Sequence, residues 1–191
     1  MKISNVKEKG NVLTFSINDS DVKFANLLRR YIISNVPVLA IDSVVIYENG
    51  SSFIDEYLSH RLGGVPISTP NTVPKEFEYV LLLEEVGPKK VYSSSLKGKD
   101  EDIKPAIEDI PIITLLEGQR IRLEAKVKEG YGYKHAKFQS GGSSYSIDDK
   151  SGEISFKLES FYQFAPKALL IKALKHIEKD VSFVEKEISK L

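Results

Sequence analysis

Two arginines stand side by side at positions 29 and 30, in the stretch NLLRRYIISNVP that covers residues 26–37 and is otherwise largely apolar. A guanidinium stays charged on burial and offers a planar fork of donors to carboxylates or backbone carbonyls. A single domain gains little from such a pair beside a core-facing stripe, so the chemistry it suggests is recognition. Other reactive residues do not converge. His60, His135 and His176 are far apart, and none has a metal-ligand partner three or four residues on. Each is expected to be a satisfied or exposed side chain. Asp55/Glu56 and Glu84/Glu85 are adjacent pairs, which point in different directions on a helix or strand.

No Gly-x-Ser-x-Gly elbow, Gly-x-x-x-x-Gly-Lys loop or His-Glu-x-x-His pair is present. Gly130 and Gly132 match the first two glycines of a dinucleotide loop, but the third is missing and no helix pattern follows. The chain contains no cysteine, which removes thiolate metal sites, iron–sulfur ligation and cysteine nucleophiles. Neither cofactor nor metal is expected. The residues offer surfaces and no convergent catalytic set.

The bulk composition agrees. The 191 residues are 41% hydrophobic and 28% charged, ordinary values for one large or two small domains. The 27 basic and 27 acidic residues cancel. Autonomous nucleic-acid binding usually carries a basic excess, so it is disfavoured. The first residues, MKISNVKEKGNVLTF, lack the apolar core of a signal peptide, and no run reaches the ~18 apolar residues that a membrane span requires. A soluble cytoplasmic protein is expected.

The elements that must position the arginines follow from periodicity. Leu13, Phe15 and Ile17 alternate with polar residues behind a KEKGN turn, which predicts a hairpin over residues 2–18. Asp19 or Ser20 can cap the following helix, which holds the arginines and stops before Pro37. AIDSVVIYENGSS predicts a strand, FIDEYLSHRL a short helix stopped at Gly63-Gly64, and residues 66–74 an irregular loop. FEYVLLLEEV is another predicted strand, and 87–109 is polar loop or edge structure.

RIRLEAKVK alternates strictly and predicts a strand, and GYGYKHAKFQS is turn-rich with strand potential. GGSSYSIDDKSG, residues 141–152, has the composition of a linker. Ile154, Phe156 and Leu158 predict a last strand, and Pro166 opens a long helix. The apolar positions of that helix are Leu170, Leu174, Ile177, Val181, Val184, Ile188 and Leu191, a 4-3 spacing with a continuous seam. About 22 residues at ~1.5 Å each span roughly 33 Å, more than a small domain covers on one side. The helix either packs on its own domain or meets a helix of another chain, and its length favours the second. An economical arrangement is an α+β chain whose ends, residues 1–40 and 153–191, form one domain, with 41–152 looped out as a mostly-β insert.

Several stretches together carry a family resemblance. NLLRRYIISNVPVLAIDSVVIYENGSSFIDEYLSHRLGGVPIST, with Asn26, Leu28, Arg29, Arg30, Val36, Pro37, Asp42, Glu48, Asn49, Asp55, Glu56, His60, Arg61, Gly63 and Pro66, resembles the N-terminal half of the D subunit of archaeal DNA-directed RNA polymerase. That family is related to the third subunit of eukaryotic polymerases and to the bacterial alpha subunit. EGQRIRLEAKVKEGYGYKHAKFQS is similar to the family segment ending in His-Ala-Lys-Trp, with Phe138 in place of the tryptophan. The heptad helix is similar to the family's dimerisation helix.

The resemblance implies a two-domain fold like that of the polymerase alpha and D subunits, and a non-catalytic assembly subunit of DNA-directed RNA polymerase. Many family members carry a ferredoxin-like iron–sulfur domain before the final strand. Only GGSSYSIDDKSG occupies that place here, so the domain and its cluster are expected to be absent.

The resemblance further implies a heterodimer with the small subunit L, docking of the second-largest catalytic subunit, and small subunits N and P beside it. Contact with DNA would come only through the whole enzyme, and membrane contact is not implied. On this reading Leu28, Ile32, Leu170, Leu174, Ile177, Val181, Val184 and Ile188 form the subunit L interface. Arg29, Arg30, His60, Arg61, His135 and Lys137 are candidates for the second-largest subunit, with an internal ion pair to a residue such as Asp42 as the alternative for the arginines. The competing functional readings are a free-standing enzyme with a site in the insert around His60 and His135, and a homodimeric adaptor sealed by the heptad seam.

Overall fold

A computed structural model describes residues 1–70 and 79–190. The chain is mixed α and β, mostly sheet, with three α-helices among the described residues. It separates into two compact units, Met1–Pro37 with Tyr131–Leu191, and Val38–Gly130.

The first unit is built on an antiparallel four-stranded sheet. Strands β1 (Lys2–Lys9) and β2 (Val12–Asn18) form the expected hairpin, turned by Gly10 at φ +59°. β10 (Ile154–Ser160) pairs with β2 and β9 (Gly141–Ile147) with β10, so the order is β1-β2-β10-β9. Strict alternation turns Leu13, Phe15 and Ile17 of β2 and Ile154, Phe156 and Leu158 of β10 into the buried face. Phe15 and Phe156 are cross-strand partners and stack at 5.2 Å, with Tyr145 of β9 next in the row at 5.9 Å.

Two helices complete this unit. α1 (Val22–Ser34) is capped by Asp21, whose carboxylate accepts the Lys23 N–H at 2.8 Å. The expected cap was one or two residues earlier, but Asp19 takes a left-handed φ of 55° and cannot serve. α3 (Pro166–Ile188) starts with Pro166 in its first turn, as expected. The α1 residues Ala25, Leu28 and Ile32 and the α3 residues Leu169 and Ala173 are buried.

Residues 141–152 are not the linker their composition suggests. β9 takes residues 141–147, and a tight turn at 148–152 returns the chain to β10. The physical reason is visible at Gly141, where any Cβ would collide with the Glu159 carbonyl of the paired strand. Gly141 permits close backbone approach, which composition alone confuses with flexibility. Residues 131–152 therefore fall in the same compact unit as the chain ends, whereas the expected insert extended to 152.

The second unit holds the sheet β3-β8-β4-β6, formed by β3 (Val38–Asn49), β8 (Arg120–Gly130), β4 (Tyr79–Val86) and β6 (Lys97–Gly98). A two-stranded ribbon pairs β5 (Lys89–Tyr92) with β7 (Pro111–Leu115). The β7 strand had no clear signal, because five residues with a leading proline are too short to show a period. α2 (Asp55–Gly63) buries Leu58 and Leu62 against a core that includes Leu39, Ile41, Leu81 and Leu123. Phe77, Glu78 and the loop residues 71–74 lie outside the described residues, as does Leu191.

Candidate interaction surfaces

Helical phase decides what α1 presents. With 3.6 residues per turn, the buried set Ala25, Leu28 and Ile32 places Lys23, Leu27, Arg30 and Ser34 on the opposite flank. Leu27 and Arg30 are exposed accordingly. Lys23, Asn26, Leu27, Arg30, Tyr31, Ser34 and Asn35 line a groove of about 380 Å³ along this flank. Leu28 and Ile32, expected at a subunit interface, instead fill their own unit's core, at 2% and 0% exposure. Their stripe is the only one that α1 can give to the sheet, so it is not free for a partner. Leu27 was missed because a lone leucine beside Leu28 reads as part of the same stripe until the phase is known.

The two arginines differ. Arg29 is half-buried, and its Nε and Nη2 donate to Asn26 Oδ1 at 3.3 and 3.0 Å. Arg30 is exposed, and among the described residues no hydrogen bond or ion pair holds its guanidinium. Asp42, the internal partner considered for the pair, lies in the other unit with its carboxylate 3.1 Å from Lys128 Nζ. Tyr31 donates its hydroxyl to Asp180 Oδ2 at 2.9 Å and ties α1 to the middle of α3. Partial burial and this carboxylate neighbour push the Tyr31 hydroxyl above the ordinary tyrosine pKa.

α3 has two different faces. Its first half buries Pro166, Leu169 and Ala173, with Leu170 and Ile177 half-buried. The 4-3 seam is rotated away from that set. Leu174 is exposed, and beyond Asp180 Val181, Val184 and Ile188 stand 61%, 54% and 63% open, with Phe183 exposed on another side. A soluble helix normally buries such a stripe. The last three turns of α3 thus carry an apolar seam that their own unit leaves uncovered.

The remaining candidates are scattered. Arg61, near the end of α2, spends its guanidinium internally: Nε donates to the Ile112 carbonyl at 2.8 Å and Nη2 to the Pro111 carbonyl. It clamps α2 to β7, a role inside its own unit that its expected place on a subunit surface did not foresee. His60 beside it is exposed. His135 is exposed and caps a 3-10 turn, Ala136–Phe138, by accepting the Lys137 N–H on Nδ1 at 3.1 Å. Lys137 lies half-buried with its ammonium 5.1 Å from the Phe138 ring centroid. His60 belongs to the second unit, and His135 to the first.

No group of three or more His, Asp or Glu side chains converges to hold a metal ion among the described residues. No helix among them is long and apolar enough to cross a membrane. The outer face of the second unit's sheet mixes exposed apolar side chains, Val45, Tyr47, Leu82 and Val86, with paired charges. Arg120 bridges Glu84 at 2.5 Å and Glu48 at 3.4 Å, and Arg122 lies over the Tyr47 ring at 5.4 Å. Among the described residues the chemistry on view is that of surfaces, chief among them the uncovered apolar seam of α3 and the unpaired Arg30 beside a groove.

Comparison with known proteins agrees with that character. Residues 44–148 match the family described as RNA polymerase Rpb3/RpoA insert domain. The chain is 39% identical over 188 residues to the DNA-directed RNA polymerase subunit Rpo3 of Methanocaldococcus jannaschii, covering 94% of this chain and 95% of that protein. It is 41% identical over 152 residues to Rpo3 of Pyrococcus horikoshii, and 41% identical over 143 residues to Rpo3 of Thermococcus kodakarensis. Those matches cover 76% and 71% of this chain but only 59% and 55% of the two relatives, so the match spans little more than half of their length.

Proposed function

The chain belongs to the Rpb3/RpoA family of RNA polymerase subunits, and from that premise we propose that it is a non-catalytic assembly subunit of an archaeal DNA-directed RNA polymerase. The observation that carries the reading is the uncovered seam on α3. Val181, Val184 and Ile188 leave water only if another chain supplies the other side. Subunit L is the proposed partner there, with Leu174 and Ile177 extending the contact. Leu170 sits where the seam meets the unit's own core.

The unit built from both chain ends acts as the dimerisation domain and residues 38–130 as the insert. The exposed flank of α1 then docks the second-largest catalytic subunit, with small subunits N and P alongside. Arg30 is the docking arginine and Arg29 its neighbour's support, because Arg29 is already bonded to Asn26 and Arg30 is unpaired. His60, His135 and Lys137 are secondary contacts. The protein works in the cytoplasm and meets DNA through the assembled enzyme.

Co-expression of the chain with subunit L and the second-largest subunit tests both surfaces. Val181→Asp, which sets a charge into the seam, should abolish pairing with L and leave the isolated chain folded. Arg30→Ala should keep the heterodimer and weaken capture of the second-largest subunit about 30-fold or more, the cost of stranding a desolvated partner charge. Arg29→Ala should do much less. Normal pairing of the seam variant with L sinks the dimerisation reading, and a stable homodimer by mass would replace it with the adaptor.

A further inference from the structure

A sheet edge is where a β fold can take on the backbone of another chain, and the edges of this chain are treated unequally. β1, at one end of the first unit's sheet, carries exposed Lys2, Lys7 and Lys9 and a register break between Ser4 and Lys7. β9, at the other end, lies against α1, where Ser143 donates to the Arg29 carbonyl at 3.2 Å. In the second unit, β6 ends the sheet with only two residues. Lysines, register breaks, cover and shortness are ordinary means of blocking strand addition.

β3, at the opposite end of that sheet, is closed only at its start. Val38, Leu39, Ala40 and Ile41 are buried, and the Leu39 N–H donates to Thr69 Oγ1 at 3.0 Å. Farther on, Ser43, Val44, Val45 and Ile46 stand opposite Lys126, Ala125, Glu124 and Leu123 of β8 in unbroken register, between bulges at Asp42 and Tyr47. Alternate residues of an antiparallel strand turn N–H and C=O away from their partner strand. Among the described residues, nothing bonds the outward groups of Ser43, Val44, Val45 and Ile46.

The side chains of this stretch do not guard it. Ser-Val-Val-Ile-Tyr, residues 43–47, has no lysine, proline or glycine and is rich in the β-branched and aromatic types that suit strands. The charges at its ends are spent on their own sheet, Asp42 on Lys128 at 3.1 Å and Glu48 on Arg120 at 3.4 Å. Val45 is 39% and Tyr47 56% exposed. Val44 and Ile46 are half-buried at the margin of the core, as is Phe53.

We infer that this edge takes one more strand: an extended segment of another polymerase subunit pairs with Ser43–Ile46. Backbone complementarity selects the occupant. Among polypeptide structures, only another extended backbone matches donors and acceptors that alternate along a strand, because a helix has already bonded its own. The core margin selects the side chains: the partner residues beside Val44 and Ile46 are apolar and continue the core, and those beside Val45 face outward. The bulges confine the pairing to the residues between them. The identity of the partner rests on the assembly reading above; the edge belongs to the unit that carries neither the α3 seam nor Arg30.

Hydrogen–deuterium exchange, resolved residue by residue, tests this by comparing the isolated chain with polymerase purified from native cells through a tag on this chain. In the isolated chain, alternate amides of Ser43–Ile46 are held by β8 and the others exchange freely. In polymerase the free ones should slow by about tenfold or more. Proline lacks the N–H and fits a strand only where that N–H faces outward. Of Val44→Pro and Val45→Pro, one should therefore lower the melting temperature of the isolated chain and the other should melt near the wild type. In polymerase that carries the second variant, the remaining outward amide should exchange as fast as in the isolated chain. If neither proline variant folds, the wild-type exchange decides alone. Unchanged exchange in polymerase overturns the added strand, as does slowing that survives the outward proline. Slowing that appears in the isolated chain as its concentration rises replaces the subunit with a second copy of this chain. A wild-type chain absent from polymerase overturns the assembly reading and the added strand with it.

Discussion

The two compact units use the same materials differently. In residues 38–130 the amphipathic helix α2 spends Leu58 and Leu62 inward, its exposed end is clamped by Arg61, and the outer sheet face pairs its charges. In the unit of both chain ends, α3 buries only its first half, and its second half presents Val181, Phe183, Val184 and Ile188 to water. The helix of the second unit is finished by its own chain, although Val45, Tyr47, Leu82 and Val86 of its sheet stay exposed; the helical layer of the other unit is left unfinished. Folding and assembly can thus be read from the same quantity, apolar area left uncovered, taken unit by unit.

A pair of leucine-to-alanine and valine-to-alanine changes should separate the two cases most sharply. Leu62→Ala removes a fully buried side chain and should destabilise the isolated chain by about 2–5 kcal/mol, the transfer cost plus that of the cavity left behind. Val184→Ala should leave isolated-chain stability within about 0.5 kcal/mol and lower the stability of the complex with subunit L. Chemical denaturation of the chain alone and of the complex reads both. Equal losses in the isolated chain would erase the contrast between the units.

Arg61 sharpens the contrast from the other side. Its two bonds to the Pro111 and Ile112 carbonyls close the second unit on itself. Arg61→Ala should cost the isolated chain roughly 1.5–3 kcal/mol, the range for hydrogen bonds from a charged donor. Capture of the second-largest subunit at matched folded concentration should not change. Reduced capture with unchanged stability would return Arg61 to the interface where the family motif alone had put it.

That case also marks what was legible in the sequence. The hairpin of β1 and β2, the strand β8 and the long helix α3 have clean periods of two or of 3.6 residues, and they stand where periodicity puts them. The reactive inventory was readable too, since a missing cysteine needs no coordinates. What composition obscured was the role of small residues: Gly141 and Gly142 read as the start of a linker and serve a tightly paired strand. Motif membership obscured direction. Leu28, Ile32 and Arg61 sit within the stretch that resembles the family, yet each points into its own unit. Only Arg29 and Arg30 raised a question that needed three dimensions, because adjacent residues on a helix diverge by about 100° and the phase decides which is free. The open edge of β3 carried no signal, since which strand ends a sheet is invisible in one dimension.

The smallest expected effect tests whether the unfinished character of the first unit is confined to its helices. The turn from β9 to β10 is closed by Asp148, whose Oδ1 accepts the Ser151 N–H at 2.7 Å, the Ser151 hydroxyl at 2.9 Å and the Lys150 N–H at 3.0 Å. The backbone and hydroxyl bonds from Ser151, then the Lys150 N–H, hold the carboxyl below its ordinary value, against a slight opposing effect of desolvation. A depressed folded pKa means that the unfolded chain binds the proton more tightly. The stabilisation is therefore complete above the unfolded carboxyl pKa and is lost as pH falls through the lower, folded value. Asp148→Asn should be less stable than wild type at neutral pH, with the gap closing in acid, because the protonated wild type has lost the same charge-assisted bonds. The side chain is exposed, so the gap should be small. If this turn belongs to a finished part of the unit, the gap has the same size with and without subunit L. A gap that vanishes only in the complex would place the turn under a partner and extend the unfinished surface from the helices to the sheet.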